Sequence, residues 1–400
     1  MRRDDLCHAI RQRLERLPEP YAAHYGVVPP PPPEDAVPLG QGLASHQRAT
    51  EALARIDMLA RQMGDPYPVS RLLSRREAVS SSSIEGTQST LDELLTLEEA
   101  DNEQRDAVRQ VRDYALVLDR LVPQATAQGP AIFTLHLFAE LHRAVMKGEQ
   151  DYRDLPGVPR DCVIWIGGSR ADIAYSTYNP TPPVRIAACL DDSVAYLRAE
   201  GMQVMTQSLI ARMAIAHAHF EAVHPYRDGN GRVGRLLLPL MMAADGKVPL
   251  YLSPYIEAHK PAYYDALQAA QQRLDWAAMV AFIADAITGT VDELMATRAA
   301  LVRLGAAWRA RRRYRDKSAA LRALDLLPDY PVITTGRLGE RLGVSAPAAN
   351  AAIAQLVEAG VLVERTGYRR NRVFAAQEVL QVLNRPFGAE PIVDWSGRPA

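Results

Sequence analysis

A proline and two glycines, Pro225, Gly229 and Gly231, separate two segments rich in Ala, Leu and Met at residues 206–223 and 233–244. Proline cannot continue a helix and glycine admits the angles of a tight loop, so this stretch is committed to helix, loop and a second helix opening near Gly231. Helix-forming composition returns at 184–197 and 261–286, and 132–146 reads the same way. Over 47–121 Leu53, Ile56, Leu59 and Ala60 recur at helical spacing, with breaks expected at Gly64-Asp65-Pro66 and at the serine run 80–83. The bulk of the chain is therefore predicted to be α-helical. The period changes between Pro156 and Pro183, where Val163-Ile164-Trp165-Ile166, Gly167-Gly168-Ser169 and residues 173–178 read as a β-hairpin, the one clear hairpin before the C-terminal region.

A length of 400 residues, 48% of them apolar, suffices for two or three domains at roughly 150 residues each. The 46 Lys and Arg nearly balance 47 Asp and Glu, so no whole-chain field draws the protein to DNA or anionic lipid, and any basic surface must be local. Cys7, Cys162 and Cys189 are odd in number and scattered, which fits neither a disulfide framework nor a zinc site; a reducing cytoplasm is the expected compartment. The N-terminus carries no apolar signal segment, and the apolar run 236–244 is cut by Pro239, short of the ~18 residues of a membrane span. A soluble protein with no membrane partner is expected.

Five consecutive prolines, 29–33, read as an extended spacer within an N-terminal extension of residues 1–45. A helical N-terminal domain follows at 46–125, then the main core at 126–290 and a basic helical linker at 291–326. In that linker Arg311-Arg312-Arg313 are compatible with a solvated helical face or a nucleic-acid contact. Residues 327–400 read as a separate module whose removal should leave catalysis intact. Ile333-Thr334-Thr335 cap a short helix, Gly343-Val344-Ser345 turn the chain, 346–359 form a second helix with Ile353 and Leu356 inward, and 361–363 with 372–374 suggest a two-stranded wing. This order resembles a winged helix-turn-helix. Arg365, Arg369, Arg370 and Arg372 suit phosphate, whereas the second helix offers only Ser345, Asn350 and Gln355 as polar readers, so DNA binding through 327–385 and a protein contact both stay open.

The loop at 224–235 carries the chemistry. Gly229 and Gly231 let backbone N–H groups approach a phosphate, and the new helix adds its positive end. Arg232 and Arg235, three apart, are expected to reach over one turn toward a polyphosphate. Asp228 supplies a hard oxygen for Mg²⁺, which binds through one or two carboxylates together with substrate phosphates. His224, with an ordinary imidazole pKa near ~6.5, is suited to take a proton from a hydroxyl. His217 and His219 point about 200° apart on a helix and cannot share one ion; Glu221 is placed to hydrogen-bond His217, and these residues read as supporting structure.

The run His224-Pro225-Tyr226-Arg227-Asp228-Gly229-Asn230-Gly231-Arg232-Val233-Gly234-Arg235 resembles the signature of the Fic family, His-Pro-Phe-x-Asp-Gly-Asn-Gly-Arg-x-x-Arg, with Tyr226 in place of Phe. His217, Phe220-Glu221, 250–253 and Tyr263-Tyr264 extend the likeness over about residues 40 to 290. The resemblance implies a helical Fic-type core with a β-hairpin flap. It also implies transfer of AMP from ATP to a Ser, Thr or Tyr hydroxyl of a protein target, itself included, with release of pyrophosphate. By position His224 would be the general base, Asp228 the Mg²⁺ ligand, Gly229, Asn230 and Gly231 the phosphate cradle, and Arg232 and Arg235 the clamps. Tyr264 and Gln271 would meet the adenine. Ile166, Gly167, Gly168, Ile173 and Tyr175 would form the flap that docks the target backbone, although an ordinary hairpin covering the core reads equally from the residues.

Ser81-Ser82-Ser83-Ile84-Glu85-Gly86 resembles the family's inhibitory motif, a Ser followed four residues later by Glu, here Ser81 and Glu85, in which Glu85 would ion-pair with Arg235 and occupy the γ-phosphate position. Ser82-x-x-Glu85 is equally a helix capping box. Gly231, where the phosphotransferase branch of the superfamily has Lys, implies room for the β- and γ-phosphates. The same fold admits removal of AMP or use of another nucleotide diphosphate donor, and a different class of reading makes the protein a DNA-binding regulator with the Fic core as sensor. A homodimer is compatible with the family.

Overall fold

The structure, a computed structural model, describes residues 1–63, 70–100, 106–149, 151–168, 172–201, 207–366 and 372–391. In chain order it runs through α1 (His8–Arg11), β1 (Leu14–Arg16), β2 (Tyr25–Val27), α2 (Leu43–Met63), α3 (Ser70–Ile84), α4 (Leu91–Ala100), α5 (Asp106–Gln128), α6 (Leu135–Met146) and α7 (Ile186–Leu197). Then come α8 (Leu209–Val223), α9 (Asn230–Ala244), α10 (Ser253–Ala258), α11 (Lys260–Arg273), α12 (Trp276–Arg311) and α13 (Ala319–Leu326). The C-terminal part is β3 (Val332–Thr334), α14 (Thr335–Leu342), α15 (Ala346–Glu358), β4 (Val363–Glu364), β5 (Val373–Ala375) and α16 (Gln377–Asn384).

Ala, Leu, Met and Val occupy nearly every face of α8 and α9, so both helices can be stable only inside a bundle. They pack on each other, with α7, α11 and α12 against α8 and α5 and α6 against α9. One apolar core runs from Val28 to Leu294, and Val111, Tyr114 and Leu118 of α5 share it with Leu237 and Leu240 of α9. The division expected at 125/126 therefore separates no two cores. The one expected at 290/291 falls inside α12, whose helix passes through it unbroken. Among the described residues no helix is long and apolar enough to cross a membrane.

Three local readings change. The prolines are no free spacer: Pro29 and Pro32 are buried, and the carbonyls of Pro29 and Pro33 accept hydrogen bonds from Arg13 Nη2 (3.2 Å) and Gln207 Nε2 (2.7 Å). A polyproline run has acceptors but no donors, so every hydrogen bond that fastens it to the bundle must be donated by another residue. Just before it, β1 and β2 form an antiparallel pair, Leu14 opposite Val27, that the sequence did not signal. The serine run does not break the helix either. Ser80, Ser81 and Ser82 lie buried within α3, which ends at Ile84, and the capping box sits at the next helix: Thr90 Oγ1 accepts from Glu93 N (3.1 Å) while Glu93 Oε2 accepts from Thr90 N (2.9 Å). Among the described residues, which leave out Ser169, the expected hairpin shows one antiparallel bridge, Ile166 with Tyr178. Gly167 and Gly168 turn the chain at φ +70° and +66°, and Asp172 caps a single 3₁₀ turn at Ile173–Tyr175.

The C-terminal sheet has the order β3-β5-β4, all antiparallel, with β3 an addition to the expected wing. Gly367, Arg369 and Arg370 lie outside the described residues. Thr334 Oγ1 caps α14, and Ile353 and Leu356 of α15 point inward as the sequence suggested. The core beneath them also takes in Trp308 of α12 and Leu72, Leu91 and Leu95 of α3 and α4. Tyr330 is stacked between the guanidinium groups of Arg71 (4.7 Å) and Arg341 (3.5 Å), and Arg365 pairs with Asp92 of α4. The module is thus not separable at 327. Removing residues 328–400 uncovers four large apolar side chains, each worth about 1.5–3 kcal/mol when buried. We expect the shortened chain to unfold at clearly lower denaturant than the full chain; coincident urea transitions of the remaining helices would contradict this.

Candidate active site

Helix α8 stops because Pro225 follows, and His224 leaves it in the left-handed region (φ +48°), its N–H bonded to Phe220 O at 3.0 Å. That conformation costs a non-glycine residue about 1–2 kcal/mol, so the surroundings must hold it. Buried Arg160 does so: Nε donates to His224 O (2.9 Å), Nη1 to Cys162 O (2.8 Å) and Nη2 to Thr181 O (2.7 Å). Burial lowers its pKa to about 10, which still leaves it charged at neutral pH. One planar fork therefore ties the His224 loop to both arms of the segment that carries Ile166.

The rest of the loop is equally fastened. His142 stacks flat on Tyr226 at 3.7 Å, accepts from Gly157 N at Nδ1 (2.7 Å), and so donates through Nε2 to Asp228 O (3.0 Å). Burial pushes its pKa down to about 4, keeping it neutral. Asn230 clips the loop rather than facing a ligand: its amide accepts from Tyr226 N and donates to Tyr226 O, both at 2.8 Å. Gly229, at φ +80°, is the N-cap of α9, and its N–H bonds to Asp228 Oδ1 at 2.7 Å.

A cleft of about 660 Å³ opens at the N-terminus of α9. Of the residues singled out from sequence, His224, Asp228, Gly231, Arg235, Tyr264, Gln271, Glu85, Ile166, Gly167 and Gly168 line it together. Trp165, Glu221 and Tyr263 line it as well, and the others stand apart. Arg232 turns to the end of α6, donating to Val145 O (3.2 Å) with Met146 Sδ at 3.4 Å, because residues three apart on a helix still diverge by about 60°. Ile173 is buried and Tyr175 exposed, both outside the cleft.

Arg235 is almost fully buried beneath the cleft. Its Nε donates to Ser81 Oγ (2.9 Å) and its Nη2 to both Ser81 O (2.9 Å) and Glu85 Oε1 (2.7 Å). Burial opposes its charge, but the Glu85 carboxylate together with Tyr263 and Tyr114 offsets this and raises its pKa. A side chain at position 231 would place Cβ 2.2 Å from Glu85 Oε1, so only glycine admits this contact. Lys260 Nζ donates to Ile84 O at 2.6 Å, closing α3 immediately before Glu85, and lies 5.9 Å from the Tyr264 ring.

Sequence reasoning missed Arg160, His142, Lys260 and Glu77. Glu77 is wholly buried and accepts from Ser253 N (2.8 Å) and Ser253 Oγ (2.5 Å), so it joins α3 to α10; burial raises its pKa. An acid in an otherwise ordinary helix announces none of this; only its place on the inward face of α3 would have. The pairing expected between Glu221 and His217 is replaced: His217 Nε2 meets Tyr263 OH at 2.7 Å, and Glu221 turns to His224. His219 bonds Ser193 Oγ through Nδ1 at 2.9 Å. Among the described residues no group of three or more His, Cys, Asp or Glu is placed to hold a metal by itself.

Residues 43–120 match the Fic/DOC family N-terminal region and residues 132–242 the Fic/DOC family domain. The chain is similar to the protein adenylyltransferase Fic of Culex quinquefasciatus, 30% identical over 159 residues covering 40% of this chain and 28% of that protein. It is 34% identical to protein adenylyltransferase fic-1 of Caenorhabditis briggsae over 131 residues, 33% of this chain and 23% of that one. The chain thus spans about a quarter of the length of these curated relatives. Among solved structures, a Fic family protein from Desulfovibrio desulfuricans G20 superposes with a TM-score of 0.52 at 19% identity, over 87% of this chain and 98% of that one, which shows a shared fold. Both regions are matched in order along its helical core, so residues 43–120 and 132–242 carry the Fic/DOC family N-terminal region and the Fic/DOC family domain.

Proposed function

We propose that the chain transfers AMP from ATP to a Ser, Thr or Tyr hydroxyl of a protein, itself included, with release of pyrophosphate, and that Glu85 restrains the reaction. The observation that carries this reading is the convergence of His224, Asp228, Gly231 and Arg235 on one cleft at a helix N-terminus, opposite Tyr264 and Gln271. Two relatives named protein adenylyltransferase support it. The N–H groups opening α9 and the Arg235 guanidinium favour a polyphosphate there. Tyr264 and Gln271 take the adenine end. His224 accepts the proton of the attacking hydroxyl as its oxygen bonds to the α-phosphorus and pyrophosphate departs.

Asp228 is the residue that would hold Mg²⁺. Its half-exposed carboxylate at the cleft fits an ion bound by one carboxylate plus substrate phosphates, and not a site made by protein ligands alone. Bound there, the ion would neutralise phosphate charge. For the target we propose the Ile166–Gly168 edge: a Cβ at Gly167 would stand 1.6 Å from Thr177 Oγ1 and one at Gly168 1.8 Å from Tyr175 O, so this edge is kept bare beside the cleft.

The test uses the Glu85→Gly variant with ATP labelled at either the α- or the γ-phosphorus. Label is expected on protein from the α-position only. Transfer of γ-label, or of none, would overturn the proposal.

DNA binding through 327–385 has weaker support. Arg365 is engaged with Asp92 and Arg372 with Glu364, and α15 exposes Ala346, Ala351 and Ala354 beside Asn350. A protein contact suits that face better.

A further inference from the structure

Glu221 lies one turn before His224 on α8 and is buried in the wall of the cleft. Its Oε2 stands 3.6 Å from His224 Nδ1, and its backbone carbonyl is 3.4 Å from the same nitrogen. The other carboxylate oxygen, Oε1, finds no hydrogen-bond partner among the described residues. It points at Gly234, where a Cβ would come within 2.5 Å of it, so this glycine leaves the space the carboxylate occupies. A buried carboxylate with an unbonded oxygen is expensive for a fold to keep. Arg235 is bonded to Ser81 and Glu85, and His217 to Tyr263 through Nε2, while its Nδ1 makes no hydrogen bond to Glu221 among the described residues.

We infer that Glu221 is a positioning residue for His224: it holds the ring by Nδ1, leaves Nε2 as the atom that takes the target's proton, and offsets the positive charge that results. The inference rests on the reaction proposed above and names how its base is oriented. In the step, the target O–H bond breaks, its proton goes to His224 Nε2, the oxygen forms a bond to the α-phosphorus, and the bond to the β-phosphate oxygen breaks, its electron pair leaving with pyrophosphate. Glu221 stays ionised throughout. Its charge state agrees with this role: burial works to raise its pKa, but the nearby His224 ring, with His217 and Arg235, holds it below the usual carboxylate value. A separation of 3.6 Å is an ion-pair distance, and such contacts shorten when the base binds its substrate. The same logic governs the buried Asp of serine-protease triads, where the carboxylate fixes the tautomer and never takes the proton.

The test compares Glu85→Gly with Glu85→Gly/Glu221→Gln, measuring ATP affinity, single-turnover AMP transfer and the ¹⁵N shifts of the His224 ring. In the parent the ring is expected to carry its proton on Nδ1 with Nε2 bare. The Gln amide can donate to Nδ1, so the double variant should lose this tautomer and transfer AMP roughly tenfold or more slowly, with ATP affinity within about twofold. An unchanged rate, a parallel loss of ATP affinity, or a parent ring protonated on Nε2 would overturn the inference. Should the Gln variant not fold, the tautomer of the parent decides alone. A parent that moves no AMP at all would refute the proposed function instead, and its ring tautomer would still be readable.

Discussion

Glu85→Gly is expected to raise AMP transfer about ten- to hundredfold, most visibly as self-modification. Glu85 Oε1 lies 2.7 Å from Arg235 Nη2, and a charge-assisted hydrogen bond of this kind competes with any phosphate for the same guanidinium by about 1.5–3 kcal/mol. Removing it frees Arg235 to hold the outer phosphates in line for attack. The Glu85 side chain is one-third exposed, so the gain should appear in turnover and not in melting temperature. Arg235→Ala breaks the same pair but removes the clamp as well, and should give no activation. Equal self-modification by the wild type and Glu85→Gly, at one ATP concentration and without added target, would reject restraint by Glu85.

His224→Ala should abolish transfer, a loss of ~10²–10⁴, while ATP still binds, because the base acts on the attacking hydroxyl and not on the nucleotide. The residue also occupies φ +48°, which alanine tolerates poorly and asparagine well. His224→Asn is therefore the cleaner variant: it should keep the loop, the Arg160 bond to the 224 carbonyl and ATP affinity, and still fail to transfer AMP. Measured by label from the α-phosphorus, appreciable activity in His224→Asn would remove the imidazole from the mechanism.

Much of this was legible before the fold was known because the signals were local. Pro225 and the two glycines announce helix, loop and helix, and the structure has α8 ending at Val223 and α9 starting at Asn230. What was not legible depends on partners far along the chain. Arg232 and Arg235 look alike in sequence, yet one meets the carbonyl of Val145 and the other meets Ser81 and Glu85. Serines 80–82 read as a break because their hydroxyls compete with helical hydrogen bonds; burial against Arg235 overrides that tendency. Glu221 was assigned to His217 by spacing alone, since spacing cannot show that Tyr263 takes that histidine first. The capping box followed the same pattern: Ser82 and Thr90 each precede a glutamate by three, and of the two only Thr90 stands at a helix start.

The bare backbone at position 231 makes the routes to deregulation lopsided. The space that on the proposed reading receives the outer phosphates is the space into which Glu85 reaches, and it exists only because residue 231 has no side chain. On that reading a larger residue there would crowd the restraint and the outer phosphates alike, and loss of Arg235 would remove the partner of both. Constitutively active variants are therefore expected on α3 and the short segment after it, at Ser81 or Glu85, rather than at the positions they contact on α9. A screen for gain of function should return substitutions from one side of this contact alone.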